Sequence, residues 1–346
     1  MDQNKIVKQK LSENKIIVVG DLHLRHKQPY MKHQEKFLEW LLDNYSNPKE
    51  YKEYGMIFLG DIFDNSTPKW EVYNLFHEFL TARQNNSYHK DIKTFILTGN
   101  HDLSKQKGNS LLAFNNIEDV VVIENETIID IHGLNCLFLP YKYNYKQMYL
   151  ESNNFISKKF DLIFTHIMTE ERQFSNEGMN FDNISEGCFV HGHDHMQGGF
   201  LRKPFHEHLI LGVPYETRHL EAQEHRIMEI DIPENSKWNF KAYYPKVPIF
   251  FKHETIQYGD MPENKDNIYN VIDAPSRKAV YEKYADYYIR SAGIKILQTE
   301  TTVEEHNKEF THASLLERFN QFVNEFNISK EVADLCSQKI LNIQEG

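Results

Sequence analysis

Cysteine is scarce in this chain: Cys136, Cys188 and Cys336 are the three in 346 residues, far apart and in no Cys-x-x-Cys pair. They cannot all pair internally, so a disulfide framework is excluded and a reducing compartment is expected. No apolar run approaches the roughly 20 residues of a membrane span. The opening MDQNKIVKQKLSENK lacks the apolar stretch of a secretion signal. Positive charge is short as well: 39 Lys and Arg against 50 Asp and Glu leave a formal net charge of −11. That balance excludes a basic coat and makes any nucleic-acid contact local or shared with a partner. Acidity alone does not exclude DNA, because bound divalent cations reverse the sign of a site. There is no internal repeat and no low-complexity tract. These absences describe a cytoplasmic chain with no membrane partner.

A hydrophobic content of 40% over this length suffices for one large domain and a smaller one. Residues 1–14 are polar and read as a loose extension. From Lys15 to about Ile232, strand-like apolar runs alternate with helical periodicity, the α/β signature, and a layered sheet sandwich with outer helices fits. Helices are predicted over Lys36–Asn44 and Lys69–Gln84, and a second set of strands over Val120–Ile123, Thr127–Ile131 and Cys136–Leu139. After Pro248 the character changes. Asn267–Ile272 reads as a strand, Pro275–Arg290 as a helix and Gly293–Leu297 as a strand, a small β-α-β cap. The resulting division is an extension (1–14), a catalytic domain (15–235), a cap (236–297), a polar linker (298–312) and a helical segment (313–346). In that last segment Leu315, Phe319, Phe322, Val323 and Phe326 recur at helical spacing, and Ser329 caps a second helix. The helix pair either packs on the body or awaits a partner's helix.

Five short motifs stand out: Gly20-Asp21-Leu22-His23, Gly60-Asp61-Ile62-Phe63-Asp64, Gly99-Asn100-His101-Asp102, Thr165-His166 and Gly192-His193-Asp194-His195. Any one alone is unremarkable, since an Asp-x-His or a turn capped by Asp is common. Each, however, follows an apolar run: Lys15–Val19, Met56–Leu59, Thr94–Leu97, Asp161–Phe164 and Cys188–Val190. Ligand groups at five strand ends place their side chains on one rim of a sheet, where open α/β folds bind ligands.

Together these motifs supply two carboxylates, an amide and four imidazoles, enough for two adjacent divalent cations around a phosphate. Such a pair needs a bridging carboxylate, and Asp61 is assigned to that role. One metal then takes Asp21, His23, Asp61 and His195, and the other takes Asp61, Asn100, His166 and His193. Nitrogen and oxygen ligands without thiolate favour manganese, iron or zinc, with Mn2+ preferred for a labile catalytic pair. The two cations neutralise the phosphodiester and lower the pKa of a bridging water. His101, beside a ligand yet not needed for coordination, is the candidate to protonate or stabilise the leaving oxygen. Asp102 either orients that imidazole or caps the loop. Asp64 is either a carboxylate that accepts from a ligand histidine, the preferred reading, or a turn residue. Since His191, His193 and His195 alternate, an extended segment would point all three one way, which leaves His191 an open alternative.

These residues resemble the calcineurin-like metallophosphoesterases, whose motifs are Asp-x-His, Gly-Asp, Gly-Asn-His, a lone His and Gly-His-x-His. More narrowly, Gly60-Asp61-Ile62-Phe63-Asp64, Asp21-Leu22-His23-Leu24 and Leu211-Gly212-Val213-Pro214-Tyr215-Glu216, followed by the strand Arg226–Ile232, resemble the SbcD family. Those are nuclease subunits of double-strand-break repair complexes, including recombination nucleases of large bacteriophages. The resemblance implies an α/β, four-layer α-β-β-α metallophosphoesterase sandwich with a small DNA-binding β-α-β cap and a C-terminal helix pair. It further implies a manganese-dependent DNA exonuclease and endonuclease that dimerises and binds an SbcC-type coiled-coil ATPase through the C-terminal helices. Two departures are Arg25, where the family usually has Gly after Asp-x-His-Leu, and Gly212-Val213-Pro214 in place of Gly-Ser-Pro. The alternatives are a phosphodiesterase acting on a small substrate such as a cyclic nucleotide, and an inactive scaffold.

Overall fold

The computed structural model describes residues 7–9, 15–47, 52–86, 93–106, 108–144, 159–169, 181, 186–196, 198–202, 206–217, 225–232 and 240–294. The chain divides into Met1–Ile294 and Lys295–Gly346. The expected linker and C-terminal helix pair lie outside the described residues, as does Cys336.

In chain order the principal elements begin with β1 (Val7–Gln9), β2 (Lys15–Val19), helix α1 (Tyr30–Tyr45), β3 (Gly55–Phe58), helix α2 (Trp70–Asn86), β4 (Thr94–Leu97) and β5 (Val120–Ile123). There follow β6 (Thr127–Ile131), β7 (Leu134–Leu139), β8 (Lys159–Thr165), β9 (Glu186–His191), β10 (Gly198–Arg202), β11 (His206–Ile210), β12 (Met228–Asp231) and β13 (Lys241–Tyr243). The last are β14 (His253–Gln257), β15 (Ile268–Ala274), helix α3 (Arg277–Lys283) and β16 (Tyr288–Ile294).

The apolar runs KIIVV, GMIF and TFIL become β2, β3 and β4, parallel neighbours buried along almost their whole length. Near-continuous hydrophobicity is what a strand covered on both faces requires. Alternate residues serve different layers. Ile17, Val19, Met56, Phe58 and Ile96 face the helices, while Ile16, Val18, Ile57, Leu59, Phe95 and Leu97 meet the second sheet. These strands sit within a six-stranded sheet of order β13-β12-β2-β3-β4-β5. The second sheet has seven strands, β1-β6-β7-β8-β9-β11-β10. It presents Cys136, Phe138, Leu162, Phe164 and Val190 to the first, and Leu137, Leu139, Ile163 and Phe189 to its other face.

Helix α1 buries Gln34, Phe37, Leu38, Leu41 and Tyr45, a stripe at helical spacing. Helix α2 buries Val72, Phe76, Phe79, Leu80 and Arg83. The buried guanidinium of Arg83 donates to Thr94 Oγ1 at 3.0 Å, to Ser46 Oγ and to the carbonyl of Tyr54, tying α2 to the end of α1 and to β4. Among the described residues no helix is long and apolar enough to cross a membrane, and Cys136 and Cys188 are free thiols.

Four expectations change. Val7–Gln9, within the supposed loose extension, pairs in parallel with β6 and forms a sheet edge. Val120–Ile123 joins the first sheet beside β4 instead of the second. Lys241–Tyr243 pairs with β12, so the cap sheet begins only at His253. Finally, the cap is a three-stranded parallel sheet, β14-β15-β16, with a seven-residue helix, because Tyr288–Arg290 leaves the helical stretch to pair with β15. The helix starts where Ser276 Oγ accepts from the amide of Ala279, a side-chain N-cap.

The cap contacts the catalytic body through α1. Lys32 and Lys36 reach the Asp266 carboxylate at 2.9 and 3.3 Å. His33 Nε2 bonds the Asp266 carbonyl at 2.9 Å, with its ring stacked 4.4 Å from Phe251. Glu216 accepts from both the amide and Nδ1 of His253, at 2.8 and 2.9 Å.

Candidate metal centre

Asp21, Asp61 and Asn100 stand two or three residues beyond the carboxyl ends of β2, β3 and β4, whereas His166 and His193 stand just beyond β8 and β9. The expected single rim is thus two rims, one from each sheet, brought together because the sheets pack face to face. The loops are tightly coupled: the amides of Leu22 and His23 both donate to the Asp61 carbonyl, at 3.1 and 2.9 Å. Three of the candidate ligands take the left-handed backbone region that L-residues avoid, His23 at φ 46°, Asp61 at 47° and His193 at 71°. Glycine is required between them. A Cβ on Gly60, itself at φ 108°, would stand 2.5 Å from His166 Nδ1. One on Gly99 would overlap the backbone nitrogen of Asp61.

All seven candidate ligands converge. Asp61 Oδ2 lies 3.6 Å from His23 Nε2 and 3.3 Å from His166 Nε2, so one oxygen faces a histidine of each group. On one side, His23 Nε2 and His195 Nε2 are 2.9 Å apart, and His195 Nε2 is 4.0 Å from Asp21 Oδ2. On the other, Asn100 Oδ1 faces His166 Nε2 at 3.1 Å and His193 Nδ1 at 2.7 Å. Three overlapping groups have ligand atoms within 4.8 Å of one another: Asp21, His23 and His195; His23, Asp61 and His101; and Asp61, His166 and His193. The Leu59 carbonyl accepts from His166 Nδ1 at 2.7 Å, which turns Nε2 inward, and the His193 amide donates to Asp21 Oδ2 at 2.8 Å.

The electrostatics ask for cations. Burial pushes the Asp21 carboxyl up to about 7, helped by the neighbouring Asp61 and opposed by His166. Burial also works against Asp61, yet His166 and His23 hold its carboxyl well below the usual range. For His166 burial is again outweighed, with Asp61 and Asp21 raising it to about 10. Burial drives His193 down to about 4 and His23 well below its ordinary value. Among the described residues no Lys or Arg pairs with Asp21 or Asp61, and His23 and His193 are held neutral, a set that suits metal ions. Asp21 Oδ1 fits the same reading: it is buried and has no hydrogen-bond partner among the described residues.

His101 stands at the edge, its ring 4.8 Å from that of His23. Its Nδ1 donates to the Asp64 carbonyl at 2.7 Å and its amide to Asp61 Oδ1 at 2.8 Å. Asp102 does not orient that imidazole. Its carboxylate accepts from the amides of Gly99 and Phe63 at 2.9 and 3.3 Å, and burial pushes its pKa up to about 7. It is the loop clamp, and the assignment of Asp102 as catalytic is corrected: both oxygens are committed to the backbone. The Asp64 carboxylate is 3.9 Å from His23 Nδ1, too far for a hydrogen bond, and pairs with Arg25 at 2.8 Å. Asp64 therefore serves His101 through its carbonyl. His191 lies outside the centre. It ends β9 buried, bonded to the Ile167 carbonyl at 3.0 Å and to His208 at 2.9 Å. The left-handed turn at His193 breaks the alternation that would have aligned all three histidines.

Three supporting residues had not been singled out as part of the site. Gln34 on α1 donates to the His23 carbonyl at 3.0 Å and accepts from the Arg25 amide at 2.8 Å. Tyr215 donates its hydroxyl to the Leu22 carbonyl, which gives the Gly-Val-Pro-Tyr segment a local task. Tyr141 lies 6.4 Å from His193, ring to ring and nearly parallel. It follows β7 by two residues, the same spacing as the ligands, and that spacing could have flagged it.

A family model for the calcineurin-like phosphoesterases matches residues 14–197, more than half of the chain. No curated protein gives a significant match. Among solved structures, a dimetal phosphatase from Danio rerio is similar at 11% identity and a TM-score of 0.43, over 68% of this chain and 96% of that one. A 5'-nucleotidase from Candida albicans is similar at 13% identity and a TM-score of 0.36, over 69% and 53%. Vps29 from Chaetomium thermophilum is similar at 13% identity and a TM-score of 0.31, over 67% and 97%. The sequence match decides the assignment, and the clustered candidate ligands agree with it: the chain belongs to the calcineurin-like phosphoesterase family, metal-dependent hydrolases of phosphoesters.

Proposed function

We propose that this chain is a manganese-dependent DNA exonuclease and endonuclease of the SbcD type, a homodimer that works with an SbcC-type coiled-coil ATPase. The observation that carries the hydrolytic part is Asp61 Oδ2, which faces a histidine from each of the two ligand groups. Asp61 would then serve both ions, with Asp21, His23 and His195 completing one site and Asn100, His166 and His193 the other. When bound, the two cations supply Lewis acidity and a nucleophile at neutral pH.

The chain's own residues supply the rest. Because the Asp64 carbonyl can only accept, His101 Nδ1 carries a proton, which leaves Nε2 as the ring nitrogen for proton transfer to the leaving oxygen. Asp102 holds the Gly99 turn from which both Asn100 and His101 project. A complete ligand set would be idle in a scaffold.

The test is to incubate the purified chain and manganese with end-labelled duplex DNA, with cyclic nucleotides and with an aryl phosphodiester. Manganese-dependent shortening or nicking of the DNA is expected. Hydrolysis of cyclic nucleotides with intact DNA selects a small-substrate phosphodiesterase instead, and inertness towards all three selects the scaffold. Removing residues 313–346 is expected to abolish co-purification with the ATPase while basal nuclease activity persists.

A further inference from the structure

Two demands meet at Asp64, and a single neighbour decides between them. The Asp64 carbonyl accepts from His101 Nδ1 at 2.7 Å, the bond that fixes this ring beside the metal centre. Its carboxylate oxygen Oδ1 lies 2.8 Å from the Arg25 guanidinium and 3.9 Å from His23 Nδ1. That nitrogen of His23 is buried and has no hydrogen-bond partner among the described residues. A histidine that ligates a metal through one ring nitrogen ordinarily donates its other N–H to a carboxylate or a carbonyl. A shift of about 1 Å would bring Asp64 Oδ1 into bonding range of it. Arg25 holds the oxygen back.

Arg25 is well placed to do so. Its Nη1 donates to the Thr217 carbonyl at 3.1 Å, its amide donates to Gln34 Oε1 at 2.8 Å, and its guanidinium carbon stands 5.1 Å from the centre of the Tyr30 ring. Tyr30 is fixed in turn, its hydroxyl 3.1 Å from Nε2 of His253 in the cap. A planar guanidinium can meet a carboxylate, a carbonyl and an aromatic face together, which an ammonium cannot. The main chain ties the same two loops: the Asp64 amide donates to the Leu24 carbonyl at 3.2 Å and the Leu24 amide to the Ile62 carbonyl at 2.9 Å. Both side chains of the pair stand in the wall of a cavity of about 580 Å³ between the body and the cap, so replacing either leaves the packed core intact.

We propose that Arg25 is a positioning residue for His101: by holding the Asp64 carboxylate away from His23, it keeps the Asp64 carbonyl on Nδ1 of His101 and so aims Nε2 at the leaving oxygen. The inference rests on the hydrolase reading of the site and deepens it. The arginine that departs from the family motif thereby has a task.

The test uses the full chain, the single variants Arg25→Ala, Arg25→Gln, Arg25→Lys and His101→Ala, and Arg25→Ala combined with His101→Ala or with Asp64→Ala. In metal-free protein carrying isotope-labelled histidine, the Nδ1–H of His101 is followed by NMR and identified by its absence from His101→Ala. The signal is expected in the wild type, lost to exchange with water in Arg25→Ala, and recovered in part in Arg25→Lys. Arg25→Gln, which keeps the packing on Tyr30, is expected to behave as Arg25→Ala does. Adding Asp64→Ala to Arg25→Ala should bring the signal back, because no carboxylate remains to turn to His23. In parallel, manganese-dependent hydrolysis is measured on methyl phenyl phosphate and on methyl 4-nitrophenyl phosphate. A proton donor matters most for the poorer leaving group, so Arg25→Ala is expected to lower kcat at least about tenfold on the phenyl ester and less on the nitrophenyl ester, with KM within about twofold. In the His101→Ala background the same substitution should change kcat by less than about twofold, since residues that act through one bond are not additive. A signal that survives Arg25→Ala, or is missing from the wild type, overturns the positioning role. Losses that multiply in the Arg25→Ala, His101→Ala variant overturn it too, because Arg25 then acts independently of His101. If the wild type hydrolyses neither ester nor DNA, loss of the signal in Arg25→Ala and its return with Asp64→Ala keep the positioning role and remove the hydrolase reading.

Discussion

At the scale of single residues, one carboxylate oxygen decides most. Asp61 Oδ2 stands between His23 and His166, and its partner oxygen takes the His101 amide at 2.8 Å, so the side chain cannot turn away. Asp61→Ala is expected to lose both manganese ions, checked by metal analysis after dialysis; retention at the wild-type stoichiometry refutes the bridging role. The amide of His101 serves that arrangement, and a ring nitrogen lies within 4.8 Å of the His23 and Asp61 ligand atoms. Because the amide survives the substitution, His101→Ala should keep its metal ions and slow turnover by roughly 10²-fold or more, since a general acid contributes on that scale. Unaltered kcat removes the imidazole from the mechanism. Asp102 shows how the same short motif hides a different task, its carboxylate being spent on two backbone amides.

At the scale of elements, the helix layer is attached to the first sheet by apolar stripes and by one buried cation. Arg83 is 5% exposed and satisfied by neutral oxygens from the end of α1, from Tyr54 and from Thr94. Arg83→Ala leaves those acceptors unpaired and is expected to cost about 2–4 kcal/mol, read as a fall in the midpoint of denaturant unfolding with unchanged m. A loss below about 0.5 kcal/mol means that water replaces the guanidinium without penalty. The elements were largely legible in sequence. Apolar runs in β2, β3 and β4 and the 3.6-residue stripes of α1 and α2 are local patterns set by burial. The cap helix was overextended because Tyr288–Arg290 continues a helical pattern yet is drawn into the sheet by β15, a partner distant in sequence.

At the scale of the whole molecule, the cap is seated by a few polar contacts on α1. His33 is central: burial lowers it to about 4, with its bond to the Asp266 carbonyl opposing the shift. The folded chain keeps His33 neutral while the unfolded chain protonates it near 6.5, so its stabilising contribution is complete above about pH 6.5 and declines as pH falls towards 4. Thermal melts of wild type and His33→Asn should accordingly differ most near neutral pH, with the gap narrowing below pH 6. A gap independent of pH assigns His33 a purely steric role.

The sequence by itself determined the chemistry of the centre. The seven candidate ligands and their positions near strand ends were readable, since each motif is a short local turn following an apolar run. Only the tertiary structure decided which sheet each ligand comes from, that His191 turns to His208 and Ile167, and that Asp102 clamps a loop. It also decided that residues 24–30, Asp64, Asn65, Pro68, Lys69, Val72, Ile268 and residues 288–290 share one cavity. The physical reason is range. Spacing along the chain reports what one turn of backbone can do, whereas a left-handed residue at His193, or a sheet packed against its neighbour, depends on atoms supplied by segments more than a hundred residues away.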